Sequence, residues 1–221
     1  SLDNMLHLAI VRSPLAHARI KSIDTAAALE VEGVIAVYTI DDLLPVLSQE
    51  RVPENFPSPG NRTDVGPYIL ARDEVCYVGE PVAAVLAESR YIAEDASLLV
   101  VVDFEPLPLV TNPKEASEPE CPPINTRDSY EGNVIQSITL GHGDCKQAFG
   151  KAAHVTSVKL DQHRGVALSM ECRGSVARFD SLRGIFTMWS SCQAPHSHRS
   201  ILTFLLGLDE AHVKVVVPNV G

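Results

Sequence analysis

The sequence predicts an α/β or α+β protein built as two successive modules. Three observations carry that expectation. Short β-branched strands alternate with short capped helices up to residue 106. Pro106, Pro108, Pro113, Pro119, Pro122 and Pro123 then crowd a stretch of scattered acids, which reads as a linker over the surface. Alternating strand and helix patterns resume after residue 134. The expected division is residues 1–106, a linker at 107–133, and a second module at 134–221.

In the first module, residues 5–11 read as a strand that Ser13 and Pro14 break. Residues 18–23 alternate apolar and polar, as a half-buried strand does. Asp24 or Thr25 can cap a short helix over 26–30, with Gly33 beyond its end. Residues 34–39 form a β-branched strand, and Asp41 can cap a further helical turn. Residues 49–67 hold Pro53, Pro57, Pro59, Gly60, Gly66 and Pro67 and read as a loop. The run Val82-Ala83-Ala84-Val85-Leu86-Ala87 is apolar on both faces, which marks a central strand covered on both sides. Ser89 caps a helix from Arg90 to about Leu98, and residues 99–104 return as a strand.

In the second module, residues 134–140 and 154–163 read as alternating strands, with Asp144 capping a helix between them. Residues 175–179 and 184–190 flank the turn at Asp180 and make a hairpin. A helix from about His198 ends at Gly207, and residues 213–217 form a final strand.

Composition excludes several classes of protein. The 221 residues are 45% apolar and 21% charged, which suits a globular chain with a net charge of −10. Nucleic acid is not an expected partner, because phosphate binding needs clustered Lys and Arg. No apolar run approaches the roughly 20 residues of a membrane span, and no signal peptide is evident, so a cytoplasmic location is expected. The cysteines at 76, 121, 145, 172 and 192 form no C-x-x-C, which argues against a zinc site, an iron–sulfur cluster or a disulfide framework.

The candidate chemistry is sparse. His196 and His198 share a face only if they lie on a strand, and no third ligand stands at supporting spacing, so no metal site is assigned. The turn Gly141-His142-Gly143-Asp144 lacks the phosphate-loop spacings and reads as a turn plus helix cap. Glu171 and Arg173, two apart before a strand, fit either a structural ion pair or a polar pocket. The stretch 190–196 follows a strand and precedes a helix, where α/β folds commonly face a ligand. There Gln193 offers donor and acceptor from one amide, while Cys192 lacks a paired base.

Those stretches also carry a resemblance. Val11-Arg12-Ser13-Pro14-Leu15-Ala16-His17-Ala18-Arg19-Ile20, Gly33-Val34-Ile35-Ala36-Val37, Val78-Gly79-Glu80-Pro81-Val82-Ala83-Ala84-Val85 and Phe104-Glu105-Pro106-Leu107-Pro108 match the first module of a known family. Met170-Glu171-Cys172-Arg173-Gly174, Trp189-Ser190-Ser191-Cys192-Gln193-Ala194-Pro195-His196 and Val217-Pro218-Asn219-Val220-Gly221 match the next, in family order. The chain resembles the large, molybdenum-cofactor-binding subunit of xanthine dehydrogenases, aldehyde oxidases and aerobic carbon monoxide dehydrogenases.

The resemblance implies a hammerhead-type α/β domain followed by an incomplete first molybdenum-cofactor-binding domain. It implies hydroxylation of heteroaromatics or aldehydes, or oxidation of carbon monoxide, with oxygen drawn from water. A molybdenum–pterin cofactor is implied for the full-length subunit, with FAD and [2Fe–2S] clusters on partner subunits or domains. Gln193 takes the position of the family's glutamine beside an oxo ligand of the metal, an outer role rather than a metal ligand. Cys192 stands where the family commonly has Thr. Gly221 is the first glycine of the pterin-contacting motif, and Glu171 belongs to the support of the cofactor domain. The family's catalytic glutamate and most of its pterin-contacting motif lie beyond this stretch, so the 221 residues alone are expected to bind no cofactor and to be inactive, while uncovered sheet edges and apolar faces are expected to make them a homo-oligomer or to leave the second module poorly ordered. The competing readings are a non-catalytic assembly or binding module of the same ancestry, and a small histidine-based metal-binding protein.

Overall fold

A computed structural model of the protein describes residues 2–53, 66–126, 132–163, 165–166 and 168–218. The first part is α+β. Its elements are β1 (His7–Arg12), β2 (Ala18–Asp24), α1 (Ala26–Leu29), β3 (Val34–Tyr38), α2 (Ile40–Leu43), β4 (Glu74–Val75), β5 (Pro81–Ala87), α3 (Arg90–Ser97) and β6 (Val101–Pro106). They form two three-stranded antiparallel sheets, in the orders β1-β5-β3 and β4-β2-β6.

The doubly apolar run becomes the centre of the first sheet, as its composition requires. Alternate side chains of a strand face opposite ways. Ala83 and Val85 therefore join Ala28 of α1 and Ala96 of α3 in one buried cluster. Val82 turns to the other side, into a cluster with Ala18, Ala71 and Val75 that Ile20 and Phe104 border. Ala84 packs with Ile40 and Leu70. Ala83 on β5 and Ala96 on α3, small and buried in the same cluster, let α3 lie close against the sheet.

Local chemistry sets the ends of the elements. The Ser89 side chain accepts from the Ile92 amide at 3.3 Å and caps α3, and Asp24 Oδ1 accepts from the Ala26 amide at 3.0 Å. The cap of α2 is Thr39 rather than Asp41. The Thr39 amide donates to Asp42 Oδ2 at 2.7 Å, and Asp41 lies inside the helix. The two-residue strand β4 has no period-2 signal of its own, and it exists because β2 offers an edge at Ala18 and Arg19.

Beyond β6 come α4 (Pro113–Ala116), α5 (Cys145–Lys151), β7 (Ser175–Asp180), β8 (Ile185–Ser190), α6 (Pro195–Leu206) and β9 (Val213–Val216). The hairpin at Asp180 is as its turn residues dictate. Asp180 Oδ1 accepts from the amides of Leu182 and Arg183 at 3.1 and 3.2 Å, and β7 runs antiparallel to β8. Asp144 caps α5 by accepting from the Gln147 amide at 2.9 Å. Gly207 ends α6 at φ 63°, the left-handed conformation of a helix C-terminus.

The expected strands at 134–140 and 154–163 do not form. Every described residue from 134 to 170 is exposed, and outside α5 this stretch adds no named strand. A strand needs a hydrogen-bonding neighbour along its length as well as alternation, and apart from a single bridge at Gln136 no ladder forms here among the described residues.

The linker is more ordered than its prolines imply. Asn112 caps α4 by accepting from Lys114 at 3.0 Å. The Asn133 amide group donates to the Ala116 and Pro122 carbonyls at 3.1 and 3.0 Å, and its oxygen accepts from Ile124 at 2.8 Å. A direct bond also joins the two parts of the chain. The Ser48 amide donates to the Leu205 carbonyl, 2.8 Å away at the end of α6.

Candidate functional site

The second part places one loop where ligands are commonly met. Strand β8 pairs in parallel with β9, in the register Trp189↔Val216, and α6 makes the crossover between them. In such a unit the carboxyl ends of the parallel strands and the amino end of the helix meet at one edge. Residues 191–194 form that edge.

The sheet grips the first half of this loop. Ser190 is buried, with its hydroxyl 2.9 Å from that of Ser175. The Ser191 amide donates to the Gly174 carbonyl at 3.2 Å, and the Gly174 amide donates to Ser191 Oγ at 3.2 Å. Pro195 opens α6, with Ala194 before it, so no side chain caps the helix start. Gln193 lies between the gripped serines and the helix. It is exposed, and no described residue bonds its side-chain amide.

The other sequence candidates sort plainly. Gly221 lies outside the described residues. Pro218, the last described position, follows β9 at the same edge of the sheet as residues 191–194. Cys192 is half-buried and free. His196 and His198 both lie in α6, where residues two apart diverge, and His198 Nδ1 is 3.1 Å from the Ala194 carbonyl oxygen. Among the described residues no group of His, Cys, Asp and Glu is arranged to hold a metal ion. Glu171 is half-buried and Arg173 exposed. No helix among the described residues is long and apolar enough to cross a membrane.

Sequence reasoning passed over a second polar cluster, in the first part of the chain. His17 and Glu74 are both buried. His17 Nε2 stands 2.7 Å from Glu74 Oε1, and Nδ1 stands 2.5 Å from the Pro108 carbonyl oxygen. Thr126 donates its amide to the Glu74 carboxylate at 3.0 and 3.2 Å, and its hydroxyl donates to Oε2. Burial alone would raise the Glu74 carboxyl. The Thr126 hydroxyl and amide and then His17 outweigh it and hold the group below the ordinary carboxylate value. His17 was legible only as part of a matching stretch. Its partners lie 57 and 91 residues away, and the strand alternation that buries Ala18 leaves residue 17 on the outward phase.

Comparison with known proteins accounts for both parts. Residues 1–108 match the aldehyde oxidase and xanthine dehydrogenase a/b hammerhead domain, and residues 126–221 match the molybdopterin cofactor-binding domain. The whole chain is 36% identical to part of the nicotine 6-hydroxylase large subunit of Paenarthrobacter nicotinovorans, covering 26% of that protein. It is likewise 36% identical to part of the carbon monoxide dehydrogenase large chain of Afipia carboxidovorans, covering 28% of it. Among solved structures, quinoline 2-oxidoreductase from Pseudomonas putida 86 superposes with a TM-score of 0.87 at 33% identity, over 100% of this chain and 27% of that one. The fold is thus that of part of the large subunits of these relatives, a hammerhead domain followed by a match to the molybdopterin cofactor-binding domain. The chain belongs to the aldehyde oxidase and xanthine dehydrogenase family, and it spans about a quarter of the length of these relatives.

Proposed function

We propose that the chain supplies one wall of the molybdenum–pterin site of a hydroxylase subunit, with Gln193 as its polar contact toward the metal end of the cofactor. The observation that carries this is the position of Gln193. It sits in the loop between β8 and α6, exposed and unpartnered among the described residues, at the edge toward which β9 also points. An amide held there fits a group that presents electronegative atoms, because one NH2 donates while the carbonyl remains free to accept.

When bound, the cofactor supplies two-electron oxidation of a carbon centre with oxygen from water. The chain's own part is to orient. The Ser190–Ser175 contact and the Ser191–Gly174 bonds fix the start of the loop, and α6 fixes its end. Gln193 then donates from a set position, as residues outside a metal's own ligands commonly do. The relatives' names span nicotine and carbon monoxide at equal identity, so the reading is carbon oxidation by a molybdenum hydroxylase without a narrower substrate. Its electrons pass to FAD and [2Fe–2S] clusters on partner subunits or domains, and Gly221 begins the stretch that meets the pterin. Residues 1–106 act as the hammerhead domain, 107–133 as the connection and 134–221 as the opening of the cofactor domain. The complex works in the cytoplasm.

The test is Gln193→Ala in the complete subunit. Loss of one exposed loop amide should cost less than about 1 kcal/mol of stability. The rate of the chemical step should fall by about 10- to 100-fold with molybdenum content retained. An unchanged rate at full molybdenum loading removes Gln193 from the site.

A further inference from the structure

We propose that the buried His17–Glu74 pair is a clasp that locks residues 108–126 down as a strap on the first domain. The strap is the segment between the two family matches, which end at 108 and begin at 126. Both of its ends meet on this one pair. At the near end the Pro108 carbonyl faces His17 Nδ1 at 2.5 Å, and the Leu107 amide donates to the His17 carbonyl at 3.0 Å. At the far end Thr126 gives both its amide and its hydroxyl to Glu74. The ring and the carboxylate join the two ends at 2.7 Å, each side chain only 4% exposed.

The strap is braced from within by α4 and from just beyond its far end by Asn133. Asn133 ties residues 116, 122 and 124 together, and Asn112 caps the short helix α4. A segment so braced lifts as a unit once its end contacts open. Ile124 and Asn125 line a cavity of ≈ 250 Å³ together with Cys76, Tyr77 and Glu80 of the first domain. The strap is also the only covalent route from the first family match to the second, so the clasp sets where the second domain leaves the first.

Hydrogen-bond stoichiometry gives the clasp its condition. The Pro108 carbonyl can only accept, so Nδ1 carries a proton. Nε2 faces an ionised carboxylate, so it carries one as well. With the Glu74 carboxylate ionised, every contact of the clasp is made when both ring nitrogens carry a proton; removing the Nε2 proton leaves a nitrogen lone pair facing Glu74 Oε1, and protonating the carboxylate adds a hydrogen where the His17 and Thr126 donors already point. Among the described residues, three further charged or titratable groups border the pair. The Cys76 thiol lies 3.7 Å from Glu74 Oε1. The buried Glu80 carboxylate takes the Cys76 amide at 2.5 Å. Arg19, opposite Glu74 in the sheet, pairs with Glu105 at 3.5 Å.

The experiment is amide hydrogen exchange and limited proteolysis of the complete subunit, with Glu74→Gln, Thr126→Val and the unaltered protein compared. Glu74→Gln should raise exchange at Leu107 and Thr126 by about tenfold or more and expose the strap to cleavage, while β1 and β5 stay protected. Thr126→Val should free the far end alone, leaving Leu107 protected, and it removes no buried charge, so folding is not in question. Nitrogen NMR of the unaltered protein should show both His17 ring nitrogens protonated. A strap that stays protected in both folded variants, or a His17 ring with one bare nitrogen while the strap is docked, overturns the proposal. Neither outcome involves the cofactor, so the result is independent of the role given to Gln193.

Discussion

Burial pushes the Glu74 carboxyl up, but the hydroxyl and amide of Thr126 and then His17 outweigh it and hold the folded-state pKa below the ordinary value. A depressed carboxylate stabilises the fold above its unfolded value of about 4.5 and loses that contribution as pH falls through the lower folded value. The difference in stability between the unaltered protein and Glu74→Gln should therefore be largest near neutrality and shrink below pH 4.5, read from denaturant midpoints across pH. A difference independent of pH would contradict it. Gly33 makes a second residue-scale case. Its φ of 86° is left-handed, and an added Cβ would stand 2.8 Å from Ile92 Cδ1 of α3. Gly33→Ala combines backbone strain with a forced shift of that side chain, and should cost about 1–2 kcal/mol in a urea titration.

Elements were legible in the sequence where their cause is local. The Ser89 and Asp144 caps, the Asp180 turn and the Gly207 stop each act within a few residues, and each forms as expected. The run at 82–87 was legible because a strand apolar on both faces has few places to go other than a sheet centre. Elements whose cause lies far away were not legible. β4 depends on the distant edge of β2, where Ala18 pairs with Val75 and Arg19 with Glu74. The strands expected at 134–140 and 154–163 form no ladder among the described residues. The strap was hidden in prolines that suit a surface linker, whereas its fixing comes from His17 and Glu74. The candidate loop divides the same way: its strand–loop–helix setting follows from local pattern, but the pairing that brings the end of β9 to the same edge does not. For α3, Ser89→Ala removes the acceptor for the Ile92 amide, and should cost about 1 kcal/mol without changing the packed face of the helix.

At the scale of the whole molecule the two parts differ in how they close. The first part buries three clusters between its sheets and helices. The second leaves large apolar side chains in water: Leu140 is 91% exposed, Leu160 85%, Leu168 87% and Met170 fully so. Exposed apolar surface on that scale, together with backbone that forms no strand ladder among the described residues, drives association. The 221 residues span about a quarter of the relatives' length, so the remainder of a complete subunit is the natural cover. Expressed alone, the 221-residue chain should show no hydroxylase turnover with an artificial electron acceptor. It should also self-associate, because a second copy is then the nearest apolar surface. Light scattering across a dilution series should give a mass above that of one chain, and Leu160→Lys with Leu168→Lys should lower it by charging the exposed stretch without touching any buried cluster. A monodisperse monomer that keeps residues 134–170 as exposed as they are here would show that this stretch does not drive association, and would leave the oligomer expectation without a physical basis.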